Sequence, residues 1–134
     1  MKLRATSTFQ AGSFARLEAL LVPLLTTAAK NAAEAVLEIS LGMVPYDTGE
    51  LASSGHTTVE WTGTKVTGYV IYSSPHAAYN EFGTGRRGEE SGHGAPGITY
   101  KQSWPGMPGH PYIRPALDIG RSQIVTAFEE ALGV

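Results

Sequence analysis

The chain has 134 residues, which fits one domain at ~100–200 residues per domain and allows a buried core without covalent staples. It has no cysteine and a formal net charge of -2, which excludes disulfide frameworks and thiolate metal sites and gives no global attraction to nucleic acid or anionic membrane. Charged residues are sparse at 16%, and half of the 16 glycines fall between positions 83 and 109, so an orderly body carries one long Gly/Pro-rich excursion.

Residues 1–12 read as a flexible N-terminus. Lys2, Arg4 and Arg16 ahead of the apolar residues 19–25 imitate a secretory signal, but Glu18 interrupts the approach and the helical pattern runs on past it. No apolar run reaches the ~20 residues of a membrane span. From Phe14 the apolar positions step by three and four through Leu17, Leu21, Leu25, Ala28, Ala32, Val36 and Ile39, with Lys30, Asn31, Glu34 and Glu38 on the outer side. This predicts an amphipathic helix with Ser13 as N-cap and Gly42 as its stop. Pro23 either kinks it or starts a second helix. Ala28, Ala29, Ala32, Ala33 and Ala35 make a narrow face that lets another element approach closely.

Residues 57–61 and 65–72 are rich in Thr, Val, Ile, Tyr and Trp, and Thr62-Gly63-Thr64 separates them, which predicts a β-hairpin. Residues 76–82 read as one helical turn or a further strand. Residues 83–110 carry little regular structure, and an extended piece at 111–113 leads into Pro115, a favoured first helical residue. A last helix shows Leu117, Ile124, Phe128 and Leu132 on one face, and Gly120 in its middle points to close packing there. The expected fold class is α+β: a small antiparallel sheet packed by a long N-terminal helix and a C-terminal helix, with a long Gly/Pro-rich loop.

Asp47-Thr48-Gly49 matches the catalytic tripeptide of aspartic proteases, so the runner-up function is a single-motif dimeric protease using Asp47. Three features oppose it. A helix precedes Asp47 where such enzymes end a strand. Glu50 adds a second carboxylate beside the shared-proton site. Ile119-Gly120-Arg121, which imitates a second protease signature, lies in a helical pattern. The alternative is structural: Pro45 ends the first helical region, and Asp47 with Glu50 matches a capping box for a short helix at 49–54.

Gly83-Thr84-Gly85-Arg86-Arg87-Gly88 is a literal G-x-G-x-x-G, but Glu89-Glu90-Ser91-Gly92 is expected to open no helix and puts negative charge where phosphates would sit. His56, His76, His93 and His110 have no metal-ligand spacing. No metal, cofactor or catalytic residue is assigned. The excursion nonetheless carries Tyr100, Trp104 and Met107, anchors that protein–protein contacts use. With Arg86 and Arg87 they are the expected assembly contacts.

Taken in order, the signatures become specific. An Ala-rich helix leads into Val44-Pro45-x-Asp47-Thr48-Gly49-x-Leu51; after the hairpin comes Tyr79-x-Glu81-Phe82-Gly83-Thr84, and after the variable loop Pro111-Tyr112-Ile113-Arg114-Pro115-Ala116 and a helix. Over roughly residues 28–132 this resembles the head–tail joining, or tail-completion, family of long-tailed bacteriophages and prophages. Asn80 stands where an aliphatic residue is more usual, and Ala52 where a polar one often sits. The resemblance implies a virion structural protein of the neck, made in the bacterial host cytoplasm. It would close the proximal end of the tail as a ring, a hexamer by expectation, between stopper or connector and tail tube. Genomic DNA would pass without specific binding, and no membrane is involved. It implies structural motif residues: Asp47-Thr48-Gly49 capping a turn, and Glu81-Phe82-Gly83-Thr84 closing the sheet edge. An unpaired edge and the aromatic arm suit heterologous contacts in a closed ring. On this reading, deleting residues 89–106 leaves a folded monomer that does not assemble.

Overall fold

The computed structural model describes residues 1–8, 15–45, 49–63 and 65–134. Ser13 and Phe14, expected to open the first helix, and Asp47 and Thr48 lie outside the described residues.

The fold is α+β. Strands β1 (Lys2–Thr8), β2 (Gly55–Thr62) and β3 (Lys65–Tyr72) form an antiparallel sheet in the order β1-β3-β2. The hairpin forms where the sequence places it. Thr62 pairs with Lys65, and Gly63 takes φ 59, the left-handed conformation that short hairpin connections need. Along β2 the half-buried Thr57, Val59 and Trp61 alternate with the exposed His56, Thr58 and Glu60, which marks one covered and one open face.

The expected flexible start is corrected for Lys2–Thr8. This segment pairs with β3 along its whole length, from Lys2 opposite Ile71 to Thr8 opposite Lys65. The reason is the centrality of β3: the hairpin satisfies one side of its ladder, and the buried backbone on the other side needs a second partner.

Helix α1 (Ala15–Leu41) crosses the covered face as one helix with Pro23 inside it, rather than as two. Pro23 is exposed, so the turn it disrupts is on the solvent side. Ala28, Ala29, Ala32 and Ala33 are buried, and a Cβ at Gly68 of β3 would lie 2.7 Å from the Ala29 carbonyl oxygen. Small residues on both elements therefore set the close helix–sheet approach. Trp61 Nε1 donates to Thr26 Oγ1 at 2.7 Å and fixes the helix along the sheet. Contrary to the reading of run lengths, Ala19–Leu41 is long and apolar enough by composition to cross a bilayer. In this fold its inner face packs the sheet and the C-terminal helix.

The C-terminal region also differs from expectation. Residues 111–113 are not a strand, and the last helix is two: α5 (Ile113–Ile119) and α6 (Arg121–Leu132). Pro115 is the third residue of α5, not the first. Gly120 separates them because a Cβ there would sit 3.2 Å from both Val36 and Ile39 of α1 and 3.0 Å from the Ala116 carbonyl oxygen. Leu25, Ala29 and Val66 pack with Phe128, while Val36, Val70, Tyr72, Tyr112, Ile113 and Ala116 form the main core. The Tyr72 and Tyr112 rings meet edge to face, with centroids 5.0 Å apart.

Between the sheet and α5, residues 76–82 resolve as a helix, α3 (Ala77–Phe82). The excursion holds more regular structure than expected: β4 (Gly83–Thr84), α4 (Gly85–Glu90) and β5 (Met107–Pro108). Residues 83 and 84 therefore do not close the edge of the main sheet. They pair with Pro108 and Met107 in a separate two-stranded ladder.

Candidate functional site

The three sequence motifs sit on different supports. At the first, α2 (Glu50–Ser53) starts after Gly49, which takes φ 81 and is the N-cap with no side-chain cap bond. Glu50 is therefore the first residue of that helix and not the third, which departs from the capping-box spacing. Pro45 is half-buried beside this turn, and Asp47, the residue both readings turned on, is outside the described residues.

The second and third motifs meet. Glu81, at the end of α3, is fully buried. Its Oε2 accepts from the backbone N–H of Tyr112 at 2.6 Å and of Ile113 at 3.1 Å; its Oε1 accepts from Arg114 N–H at 3.1 Å and Arg114 Nε at 3.0 Å. These donors are the otherwise orphaned amides at the start of α5, and a carboxylate there also meets the positive end of the helix. This is why α5 starts at Ile113 and why residues 111–113 cannot extend as a strand. Four donors occupy the carboxylate's acceptor sites, so nothing remains directed toward a substrate. Glu81 is a structural joint between chain segments far apart in sequence. Phe82 lies under the Arg114 guanidinium, 4.6 Å from ring centroid to carbon, and Tyr112 Oη donates to the Ala77 carbonyl at 2.9 Å. Pro111 and Pro115 are half-buried around this joint, and Ala116 is buried in the core.

Arg114 also grips the excursion. Its Nη2 donates to the His93 carbonyl at 2.5 Å and its Nη1 to the Gly94 carbonyl at 3.3 Å. From there the excursion folds back as an arm packed backbone to backbone. A Cβ at Gly83 would lie 2.6 Å from Gly109 N and from Gly88 Cα, and one at Gly106 would lie 1.9 Å from the Thr84 carbonyl oxygen. Gly83 and Gly106 also have φ values of 81 and 63, which L side chains rarely adopt. Tyr100 is an internal anchor and not a free contact: its hydroxyl donates to the Phe82 carbonyl at 2.8 Å, and its ring lies against Gly88 and Gly94. Thr84 Oγ1 accepts from Met107 N–H, and Ser91 Oγ from Gly109 N–H.

The G-x-G-x-x-G motif begins at the short β4 and runs into α4, which Glu89 and Glu90 end rather than open, and the first amides of that helix are spoken for. Arg86 N–H donates to the Trp104 carbonyl at 3.0 Å and Arg87 N–H to the Pro105 carbonyl at 2.9 Å. A pyrophosphate would find those donors occupied and Glu89 and Glu90 exposed close by.

No family model, curated protein or solved structure matches this chain.

What the arm offers is surface. Trp104 is 50% exposed and Tyr79 54%, and together they separate two open grooves. One, of about 480 Å³, is lined by Pro45, Gly49 and Glu50 on one side and Met107 on the other; the other, of about 370 Å³, lies toward Phe82 and Ile98. Of the expected assembly residues, Arg86 and Arg87 are exposed, Met107 is half-buried in β5, and Trp104 is the large apolar group left facing solvent. Tyr79 and Arg114 were missed as contributors. Both stand in the motifs read from the sequence, and the opposite charges of Glu81 and Arg114 in two apolar motifs were the available signal. Among the described residues, no group of three or more His, Asp or Glu side chains is placed to hold a metal.

Proposed function

We propose that this chain is a structural subunit of a bacteriophage neck, completing the proximal end of the tail and joining it to the head as an oligomeric ring. The reading rests on the ordered motifs of the sequence and on one structural observation: Trp104 stands half-exposed on an arm whose backbone is locked by glycine contacts and by Arg114. Trp104 with Tyr79 presents aromatic surface beside two grooves, the kind of anchor that interfaces use, and a rigid anchor loses little entropy on docking. The partners are neighbouring copies of the chain, the stopper or connector above and the tube below. DNA passes through without a dedicated basic surface, in keeping with the net charge of -2.

The arm's internal bonds change the test. Deleting residues 89–106 would remove Tyr100, which donates to the Phe82 carbonyl, and Ser91, which accepts from Gly109 N–H, so loss of assembly could follow from unfolding alone. Trp104→Ala with Tyr79→Ala removes two half-exposed side chains and leaves the Arg114, Tyr100 and glycine contacts of the arm in place. The double variant is expected to remain folded by circular dichroism and to give tails that fail to join heads in negative-stain images. Normal joined particles from that variant overturn the proposal.

A further inference from the structure

Two strand edges flank β3, open over Lys2–Ser7 and over residues 55–60. Among the described residues, no hydrogen bond joins a backbone group of Lys2–Ser7 or of residues 55–60 to any element other than β3. The edges are long, at 7 and 8 residues, contain no proline, and run without a register break. Natural edge strands are usually short, bulged, charged or covered, because an open ladder templates pairing with another chain; here the charges differ in sign, Lys2 and Arg4 on β1 and Glu60 on β2, so they do not repel one edge from the other.

Both edges run antiparallel to β3, so β1 and β2 point the same way. Placing β2 of one copy beside β1 of the next therefore makes a parallel pair and repeats head to tail. At equal height along β3, Lys2 matches His56, Arg4 matches Thr58 and Thr6 matches Glu60, since each pair shares one partner: Ile71, Tyr69 and Thr67. The side-chain alternation then agrees across the junction. Leu3 and Ala5 continue the covered face beside Thr57 and Val59, and Lys2 and Arg4 share the open face with Glu60. Charge favours this pairing over a contact of two β1 edges. An antiparallel β1–β1 pair centred on Arg4 sets that residue against its own copy, whereas β1 against β2 sets Arg4 diagonally across from Glu60.

We infer that copies of this chain associate through parallel pairing of β1 in one copy with β2 in the next, continuing the sheet across the contact. The inference rests on the ring reading of the neck proposal and specifies its interface; the Trp104 arm is a separate contact.

The chain's lack of cysteine makes the test direct. Lys2→Cys and His56→Cys, matched through Ile71, are introduced together and oxidised, which keeps Arg4 and Glu60 in place. Within one copy β3 lies between them, a separation of roughly 10 Å at ~4.8 Å per strand. That exceeds the ~7 Å limit for a disulfide between Cα atoms, so only a bond between copies can form. The expected result is a ladder of multiples on non-reducing gels that collapses on reduction. A Lys2→Cys, Thr27→Cys pair, with Thr27 exposed on α1, is expected to give no ladder. Native mass spectrometry of the parent chain is run alongside. Multimers without a ladder from the edge pair, or with an equal ladder from the control pair, overturn the strand pairing while leaving the neck reading to the Trp104 test. A parent that stays monomeric, with no ladder, overturns the pairing as well.

Discussion

The carboxylate of Glu81, with no solvent exposure, lies 3.0 Å from Nε of Arg114, a residue whose side chain is 34% exposed. The asymmetry separates their roles. Glu81 is needed by three backbone amides as well as by the guanidinium, whereas Arg114 spans the buried joint and the exposed arm. Glu81→Ala is expected to cost about 3–5 kcal/mol in urea unfolding, because it leaves both a helix start and a cation without their acceptor. Arg114→Ala is expected to cost less, since the three amides still hold the carboxylate. The reverse order would contradict the capping role.

Arg114→Ala should instead loosen the arm locally. Its bonds to the His93 and Gly94 carbonyls are lost, while Tyr100 and the glycine contacts remain. Limited trypsin digestion is expected to cut at the exposed Lys101 faster in this variant than in the parent, at unchanged far-ultraviolet circular dichroism. Equal cleavage rates would show that Arg114 does not restrain the arm.

The glycines of the arm are expected to fall into two groups. Gly106→Ala combines a left-handed residue with a Cβ 1.9 Å from a carbonyl oxygen, and should cost about 2–5 kcal/mol. Gly97 has φ 86 but nothing within 4 Å of the added Cβ, so Gly97→Ala should cost about 1–2 kcal/mol. Thermal unfolding of the two variants side by side tests this.

Two tyrosines give the fold an alkaline limit. Burial pushes the Tyr72 hydroxyl above its ordinary value of 10.0, partly offset by its hydrogen bond with Ser40. Burial, then the neighbouring Glu81 and Tyr72, push Tyr112 well above it. Above pH 10 the unfolded chain releases these protons while the folded chain keeps them, so stability is full below pH 10 and falls as pH rises beyond it. The slope is at most about 1.4 kcal/mol per pH unit for each tyrosine. Tyr112→Phe is expected to lower stability at neutral pH by about 1 kcal/mol and to flatten the alkaline fall.

The parts legible in the sequence were those with a strong apolar period: α1, whose Ala face predicted a close neighbour, and the hairpin. β1 was not legible because its inward residues, Leu3, Ala5 and Ser7, are mostly small, a consequence of the same close approach of α1. The arm hid for a different reason. It is held by backbone against backbone at glycines 83, 88, 106 and 109, and such contacts leave no hydrophobic pattern. Gly120 was read correctly as a site of close packing, yet the proximity of Val36 and Ile39 splits the helix there. The joint of Glu81 with Arg114 required two motifs to be brought together in space, which residue spacing alone does not do.

The placement of β1 also sets an order of events during synthesis. Although it is made first, its partner in the sheet among the described residues is β3, and no rung of that ladder can form until the chain has been extended past Lys65. The hairpin of β2 and β3 can close locally at once, whereas β1 must wait through the whole of α1 and meet the cost of a long loop closure. Until then one side of β3 is open on the nascent chain, and an early encounter between two unfinished chains would compete for that same side.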